Sequence, residues 1–228
     1  MLTVDAGQRG SSTRARVGYW WFALTAAAIA VFAPLPYLTE SLRGLSGDEG
    51  GIAANYVDRS AAIQAAFYVH VIFGGLALLL SPVQFVARLR AAAPHVHRTC
   101  GRVVFASIGL AGVAGAVLST TNLAGPIGTA GFGALAVLWA GFAVMALRAI
   151  RRGDVDAHRG WVIRTFALTY AAVTLRLWLG LLIGVQVGAA GVAEQLAFDR
   201  AYAVVPFLCW VPNVIVAELY LRRRSAIR

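Results

Sequence analysis

The chain has 228 residues, of which 59% are hydrophobic and only 13% are charged, and its mean hydropathy is +0.71. A water-soluble domain of this length could not keep so much apolar surface out of water, whereas lipid can solvate an apolar outer face. The net charge of +10 lies in short segments between apolar runs, which argues against a nucleic-acid partner and predicts an integral membrane protein in a lipid bilayer.

Six apolar runs are each long enough to cross about 30 Å of hydrocarbon, which requires about 20 helical residues. They cover residues 17–38, 61–87, 101–122, 129–148, 161–185 and 201–221. Lipid cannot satisfy open backbone groups, and the runs are too long for barrel strands, so each run is predicted to be a helix. We therefore expect one all-α, polytopic membrane domain over residues 17–221, with tails at 1–16 and 222–228.

The arginines indicate how this bundle is oriented. Fifteen of them lie in the tails and in the loops that follow the second and fourth helices: Arg9, Arg14, Arg16, Arg88, Arg90, Arg98, Arg102, Arg148, Arg151, Arg152, Arg159, Arg222, Arg223, Arg224 and Arg228. The alternate segments hold only three arginines and six acids: Arg43, Arg59, Arg200, Glu40, Asp48, Glu49, Asp58, Glu194 and Asp199. Because basic loops stay on the cytoplasmic side, both termini are predicted to be cytoplasmic.

Polar residues at membrane depth are expensive and are therefore the first candidates for function. One face of helix two carries polar or small residues at spacings of three and four, which places them within about 40° of one line on a helix. They are His70, Gly74, Ala77, Ser81, Gln84 and Arg88. The other faces are Val, Ile, Leu and Phe, so this stripe is predicted to face a cavity or the bundle interior.

Helices five and six carry further polar residues. His158, Thr165, Thr169 and Arg176 are spaced along one line of helix five, and Arg176 is predicted to lie at a depth similar to that of His70. Helix six adds Asn213 and Glu218, and Glu218 is predicted to pair with Arg164. Pro206 and Pro212 predict a kink in helix six.

These motifs carry a resemblance to a known family. His70-x-x-x-Gly74, Ser81-Pro82-x-Gln84-Phe85 with Arg88, and His97-Arg98-x-x-Gly101-Arg102 resemble a bacterial family of predicted membrane proteins, domain of unknown function 2306. Asp156-Ala157-His158-Arg159-Gly160-Trp161 with Arg164, then Arg176, and Trp210-x-x-Asn213 with Glu218 resemble its later motifs. The resemblance covers about residues 62 to 222. It implies a multi-pass protein of the bacterial cytoplasmic membrane and a set of polar positions, but no activity.

The favoured function is the binding or transport of a small anionic ligand or a lipid headgroup. Two helix N-termini, whose dipoles present positive ends, are predicted to meet the arginines that follow His97 and His158. The predicted ligand-binding residues are His70, Gln84, Arg88, His97, Arg98, Arg102, His158, Arg159, Arg164, Arg176, Asn213 and Glu218.

Two alternatives stay open. A b-type haem needs two imidazoles on different helices at one depth, which His97 and His158 satisfy and His70 does not, so a redox protein with haem or a quinone near the cytoplasmic face is the first. A non-catalytic subunit or scaffold, in which the polar residues only fix helix packing, is the second. A membrane-embedded hydrolase is disfavoured, because the sequence has no HExxH motif and no carboxylate pair inside an apolar run.

Overall fold

Helices make up the regular secondary structure of the described chain, as lipid requires of segments that cross a membrane. The computed structural model describes residues 5–46 and 52–225, so Asp48, Glu49 and Arg228 of the charge pattern lie outside the described residues. The α-helices are α1 (Asp5–Phe32), α2 (Leu35–Thr39), α3 (Leu42–Leu45), α4 (Ile52–Val57), α5 (Ala61–Leu80), α6 (Ala87–Ala92), α7 (Pro94–Ser119), α8 (Gly125–Arg151), α9 (Val155–Thr169), α10 (Ala171–Ala190), α11 (Glu194–Leu208) and α12 (Val211–Ser225). A 3-10 helix, Pro82–Phe85, follows α5.

Six segments are long and apolar enough to cross a membrane, which confirms the predicted number of spans. They are Ala15–Thr39, Ala61–Phe85, Pro94–Ser119, Gly125–Arg151, Val155–Ala190 and Glu194–Arg224. Most extend beyond the apolar runs, because a helix continues through polar turns whose backbone hydrogen bonds are already internal. For example, α1 begins at Asp5, within the predicted tail, and α7 begins at Pro94, where a proline suits the first turn. The cytoplasmic position of the termini stays a prediction that the arginine pattern supports.

The second span is not one continuous helix. The α-helix ends at Leu80, the 3-10 turn follows, and Val86 is extended before α6 starts. Pro82 explains the interruption, because proline lacks an amide hydrogen and clashes with the carbonyl four residues before it. Arg88 therefore does not share a helical face with His70, which corrects the single stripe predicted for this helix.

The fifth and sixth spans are also interrupted. The fifth changes from α9 to α10 at Tyr170, although it contains no proline. Three threonines around this point, Thr165, Thr169 and Thr174, donate hydrogen bonds to the carbonyls four residues earlier, an arrangement that bends helices. The sixth breaks between α11 and α12 at Cys209 and Trp210, between the two prolines that predicted a kink there.

Small residues and a buried apolar core hold the spans together. Helix α5 packs on α7, α7 on α8, α8 on α9, and α10 on α11, while α1 lies against α5. The central core contains Ile108, Trp139 and Phe166, all buried. At Gly131, α8 approaches α11 so closely that a Cβ atom would lie 2.6 Å from the Cβ of Pro206. Such close approaches are typical of helix pairs in lipid, where van der Waals packing, and not the hydrophobic effect, drives the association of helices.

Candidate functional site

A polar cluster lies where the second span meets the start of α7. The Gln84 side chain packs against Gly101, where an added Cβ would come within 3.3 Å of the Gln84 Oε1 atom. His97 precedes Gly101 by one turn on the same face of α7. Two buried side-chain atoms in the described chain have no hydrogen-bond partner, and they are Nε2 of Gln84 and Nδ1 of His97. Buried polar groups are nearly always paired, so these two atoms mark a place where something else could bind.

His158 belongs to the same region. It lies in the first turn of α9, and its Nδ1 atom is 2.9 Å from the carbonyl oxygen of Ala146 in α8. The ring of Phe105, one turn beyond Gly101 on α7, lies 6.5 Å from the His158 ring. His97 and His158 are close enough for electrostatic interaction. The structure thus brings together Gln84, His97 and His158 of the predicted site.

His70 lies in a different place, near the middle of the second span. Its Nδ1 atom is 2.9 Å from the carbonyl oxygen of Ala111 in α7. Gly115 makes room for the imidazole, because a Cβ at that position would lie 3.0 Å from Nδ1. The other ring nitrogen, Nε2, has no hydrogen-bond partner among the residues described.

Arg176 lies near the middle of the fifth span, in the first turns of α10. Its side chain is exposed, and Nη1 donates one hydrogen bond of 2.8 Å to the carbonyl of Ala172 in its own helix. No carboxylate in residues 5–46 and 52–225 forms an ion pair with it. The charge of Arg176 acts electrostatically on His70 and on Tyr37, without a hydrogen bond to either among the described residues. We call these three residues the mid-span cluster.

Three other predicted residues form structural contacts. Arg164 and Glu218 make the predicted ion pair through two hydrogen bonds, with Nη2 and Oε2 2.9 Å apart, and the Arg164 guanidinium lies 4.9 Å from the ring centre of Trp161. The Asn213 amide donates to the carbonyls of Ala167 and Cys209 and to the Thr174 hydroxyl, at 3.0–3.1 Å. Asn213 thus joins the interruption in the fifth span to that in the sixth.

The remaining predicted residues do not converge. Arg88, Arg98, Arg102 and Arg159 are all exposed. Arg98 donates to the carbonyl of Pro94 at 3.3 Å, and Arg159 lies 3.8 Å from Asp156. Thr165 and Thr169 of the predicted stripe on helix five are buried, and the Trp139 indole donates to Thr169 at 2.9 Å. That part of the stripe faces α8, whereas Arg176 lies beyond the Tyr170 interruption on another helix.

Sequence reasoning missed Tyr37, Phe105 and Gly101 as members of these clusters. Tyr37 had the form of an interfacial aromatic residue at the end of the first span, and only the fold brings it beside Arg176. Gly101 stood within the quoted motif, but its contact with Gln84 depends on how the second span ends. The described residues contain no group of three or more His, Cys, Asp or Glu side chains that could hold a metal ion.

The fold and these clusters define a polytopic, all-helical membrane protein that carries polar clusters within its spans. Residues 67–221 match the family described as "Predicted membrane protein (DUF2306)", and the chain belongs to that family. The resemblance predicted from the motifs is therefore confirmed. No curated protein and no solved structure matches the chain.

Proposed function

We propose that the protein binds a small anionic ligand or an anionic lipid headgroup at the mid-span cluster. The observation that carries this proposal is the uncompensated guanidinium of Arg176. Arginine stays charged under all ordinary conditions, and a charge at membrane depth needs a counter-charge, a strong acceptor or water. Within the described chain, Glu218 is the acidic residue closest to the interior of a span, and it is already paired with Arg164.

The free hydrogen-bonding groups of the cluster favour an oxyanion. A guanidinium has five N–H donors, and Arg176 uses one of them on the Ala172 carbonyl. The Tyr37 hydroxyl and the His70 Nε2 atom, on which its charge acts, have no hydrogen-bond partner among the described residues and come from other spans. Carboxylates and phosphates accept several such hydrogen bonds at once, and the guanidinium fork matches their geometry. We therefore infer a carboxylate- or phosphate-bearing ligand.

Two sources could supply such a group, namely a soluble anion or the headgroup of a phospholipid. Arg176 is exposed at the side of the bundle, so a lipid can reach it from the bilayer. His70 adds a polar residue from a second span, on which the charge of Arg176 acts. Whether a bound anion also crosses the membrane is a separate proposal, which flux in liposomes tests directly.

We expect Arg176→Gln to abolish stabilisation by the ligand. Sodium phosphate, sodium succinate and phosphatidylglycerol are added separately to the detergent-purified protein, and thermal unfolding is followed by circular dichroism. Binding at about a hundred times Kd stabilises a protein by about 2.7 kcal/mol, which for a chain of this size corresponds to roughly 5 °C or more in Tm. The three probes distinguish a soluble phosphate, a carboxylate and a lipid headgroup.

Arg200→Gln is the matched control, because Arg200 is an exposed arginine of α11 and its replacement removes the same charge. It should keep the full ligand response, and His70→Phe should reduce it. Equal stabilisation of the wild type and of Arg176→Gln by the same probe would contradict the proposal. If instead no probe stabilises the wild type and Arg176→Gln melts at a lower temperature than the wild type, the scaffold alternative explains the cluster better.

A b-type haem is the second candidate, because His158 is oriented by a backbone carbonyl as metal-binding histidines are, with Nε2 left free. The side chains beside the two histidines count against it. Gln84 contacts Gly101, one turn from His97, and the Phe105 ring centre lies 6.5 Å from that of His158.

We therefore expect an ultraviolet–visible spectrum of the purified protein without sharp α and β bands after dithionite reduction. Elemental analysis of the same sample should give far less than one iron per chain. Sharp reduced bands with stoichiometric iron, lost in His97→Phe or His158→Phe, would instead make this protein a cytochrome and place its redox chemistry first.

A further inference from the structure

Gln84, His97 and His158, which we call the inner polar cluster, include buried hydrogen-bonding atoms that have no partner in the described chain. This cluster is separate from the mid-span cluster, since its members lie at the end of the second span and in the first turns of α7 and α9. Its two buried unpartnered atoms, Nε2 of Gln84 and Nδ1 of His97, come from different spans, and the Gln84 side chain contacts Gly101, one turn after His97 on α7. Two such atoms at one place are unusual in a folded protein, where unexplained buried groups commonly belong to ligand or water sites.

The hydrogen-bonding groups of this cluster are uncharged ones. The carboxamide of Gln84 donates through Nε2, and an imidazole can donate or accept according to its tautomer. Arg90 and Arg98 lie within electrostatic range of His97, but both side chains are exposed to the outside of the bundle. The ion pair nearest to them in the chain, between Arg159 and Asp156, is exposed. Neutral donors in an apolar wall suit a neutral acceptor better than an anion.

Aromatic residues lie near the cluster. The Phe105 ring centre is 6.5 Å from that of His158, and Phe85, which follows Gln84 in the chain, packs on Phe166 with ring centres 4.6 Å apart. The Phe22 ring of α1 lies 6.0 Å from that of Phe85. Aromatic rings next to neutral hydrogen-bond donors at one end of the spans favour a planar, lipid-soluble molecule that carries a polar edge.

We propose that this cluster binds the ring carbonyl of a quinone-type headgroup. The Gln84 amide donates to a carbonyl oxygen, and the His97 imidazole serves a carbonyl or hydroxyl of the same ring through Nδ1. Gly101 leaves the space that lets Gln84 reach this position, and Phe105 provides a flat apolar wall. A lipid-soluble ring enters from the bilayer between the spans and needs no aqueous channel. This site does not depend on the proposed anion site at Arg176.

The test compares menadione with 2-methylnaphthalene, which has the same fused rings and methyl group but lacks carbonyls. Binding is measured by isothermal titration calorimetry on the purified full-length protein, with detergent partitioning subtracted. We expect saturable binding of menadione alone, weakened at least tenfold in Gln84→Leu and in His97→Phe. His95→Phe is the matched control, because His95 lies in the same first turn of α7 but is exposed. It should bind menadione as the wild type does.

Gly101→Ala supplies a variant that keeps every donor. Its Cβ would meet Gln84 Oε1 at 3.3 Å and shift the carboxamide, so menadione should bind more weakly although no polar group is lost. Arg176→Gln should leave menadione binding unchanged, which separates a failure here from a failure of the anion proposal. Equal binding of the two probes, or full menadione binding by folded Gln84→Leu, would overturn the inference. A site that holds only water would give no menadione binding and a Gln84→Leu variant of increased stability.

Discussion

Replacing Gly131 with alanine should destabilise the folded bundle by about 2 kcal/mol, although alanine is normally the better helix residue. The new Cβ would lie 2.6 Å from the Pro206 Cβ and 2.8 Å from the Pro206 carbonyl carbon and oxygen. Backbone atoms cannot rotate aside as the end of a long side chain can, so α8 and α11 must separate. Unfolding of the purified protein in mixed micelles with increasing dodecyl sulfate measures the difference.

Gly141→Ala is the matched control for this change. Gly141 lies on the same helix, and nothing stands within 4 Å of its would-be Cβ. It should be neutral or gain up to about 1 kcal/mol from helix propensity alone. Equal effects of the two substitutions would show that α8 and α11 are not in close contact at Gly131.

Removing either partner of the Arg164–Glu218 pair should cost about 2 kcal/mol of stability, because a bidentate, partly buried pair leaves a charge without its counter-charge. The side chains of Arg164 and Glu218 are 24% and 34% exposed, so the effect should be smaller than for a fully buried pair. Arg164→Ala should be the more severe change, because it also removes the contact with Trp161. A double-mutant cycle with Glu218→Ala should show coupling of about 1 kcal/mol or more.

The exposed pair of Arg159 and Asp156, 3.8 Å apart, provides the comparison. Its cycle should give coupling below about 0.5 kcal/mol. Strictly additive effects of Arg164→Ala and Glu218→Ala would mean that the two residues stabilise the bundle independently of each other.

Much of this architecture could be predicted from the sequence. The number of spans follows from hydropathy, because lipid imposes a length and an apolar composition on each helix. The Arg164–Glu218 pair followed from depth alone, since a carboxylate and a guanidinium at one level of neighbouring helices have few other partners. The break in the sixth span followed from the spacing of Pro206 and Pro212.

Other features depend on contacts that hydropathy does not encode. No proline or glycine at Tyr170 predicts the interruption there. Threonine hydroxyls compete with backbone amides for the helix carbonyls around this residue. The second span ended earlier than the apolar run, which separated Arg88 from the stripe on α5. The clusters around Arg176 and Gln84 arise from residues far apart in the chain, so their membership could not be read from spacing within one helix.

The hydrogen bonds of Asn213 connect the places where the last two spans are expected to bend most easily. The interruptions at Tyr170 and at Cys209–Trp210 fall at adjoining points, bridged by Asn213 and Thr174. Bending stiffness in a helix comes from its unbroken backbone ladder, and here both ladders are broken beside each other. We therefore expect α10 and α11, which pack together, to bend as one unit at this level, and the hydrogen bonds of Asn213 to resist that bend. Arg176 lies close to this point, so a bend there would reorient the guanidinium while moving it little.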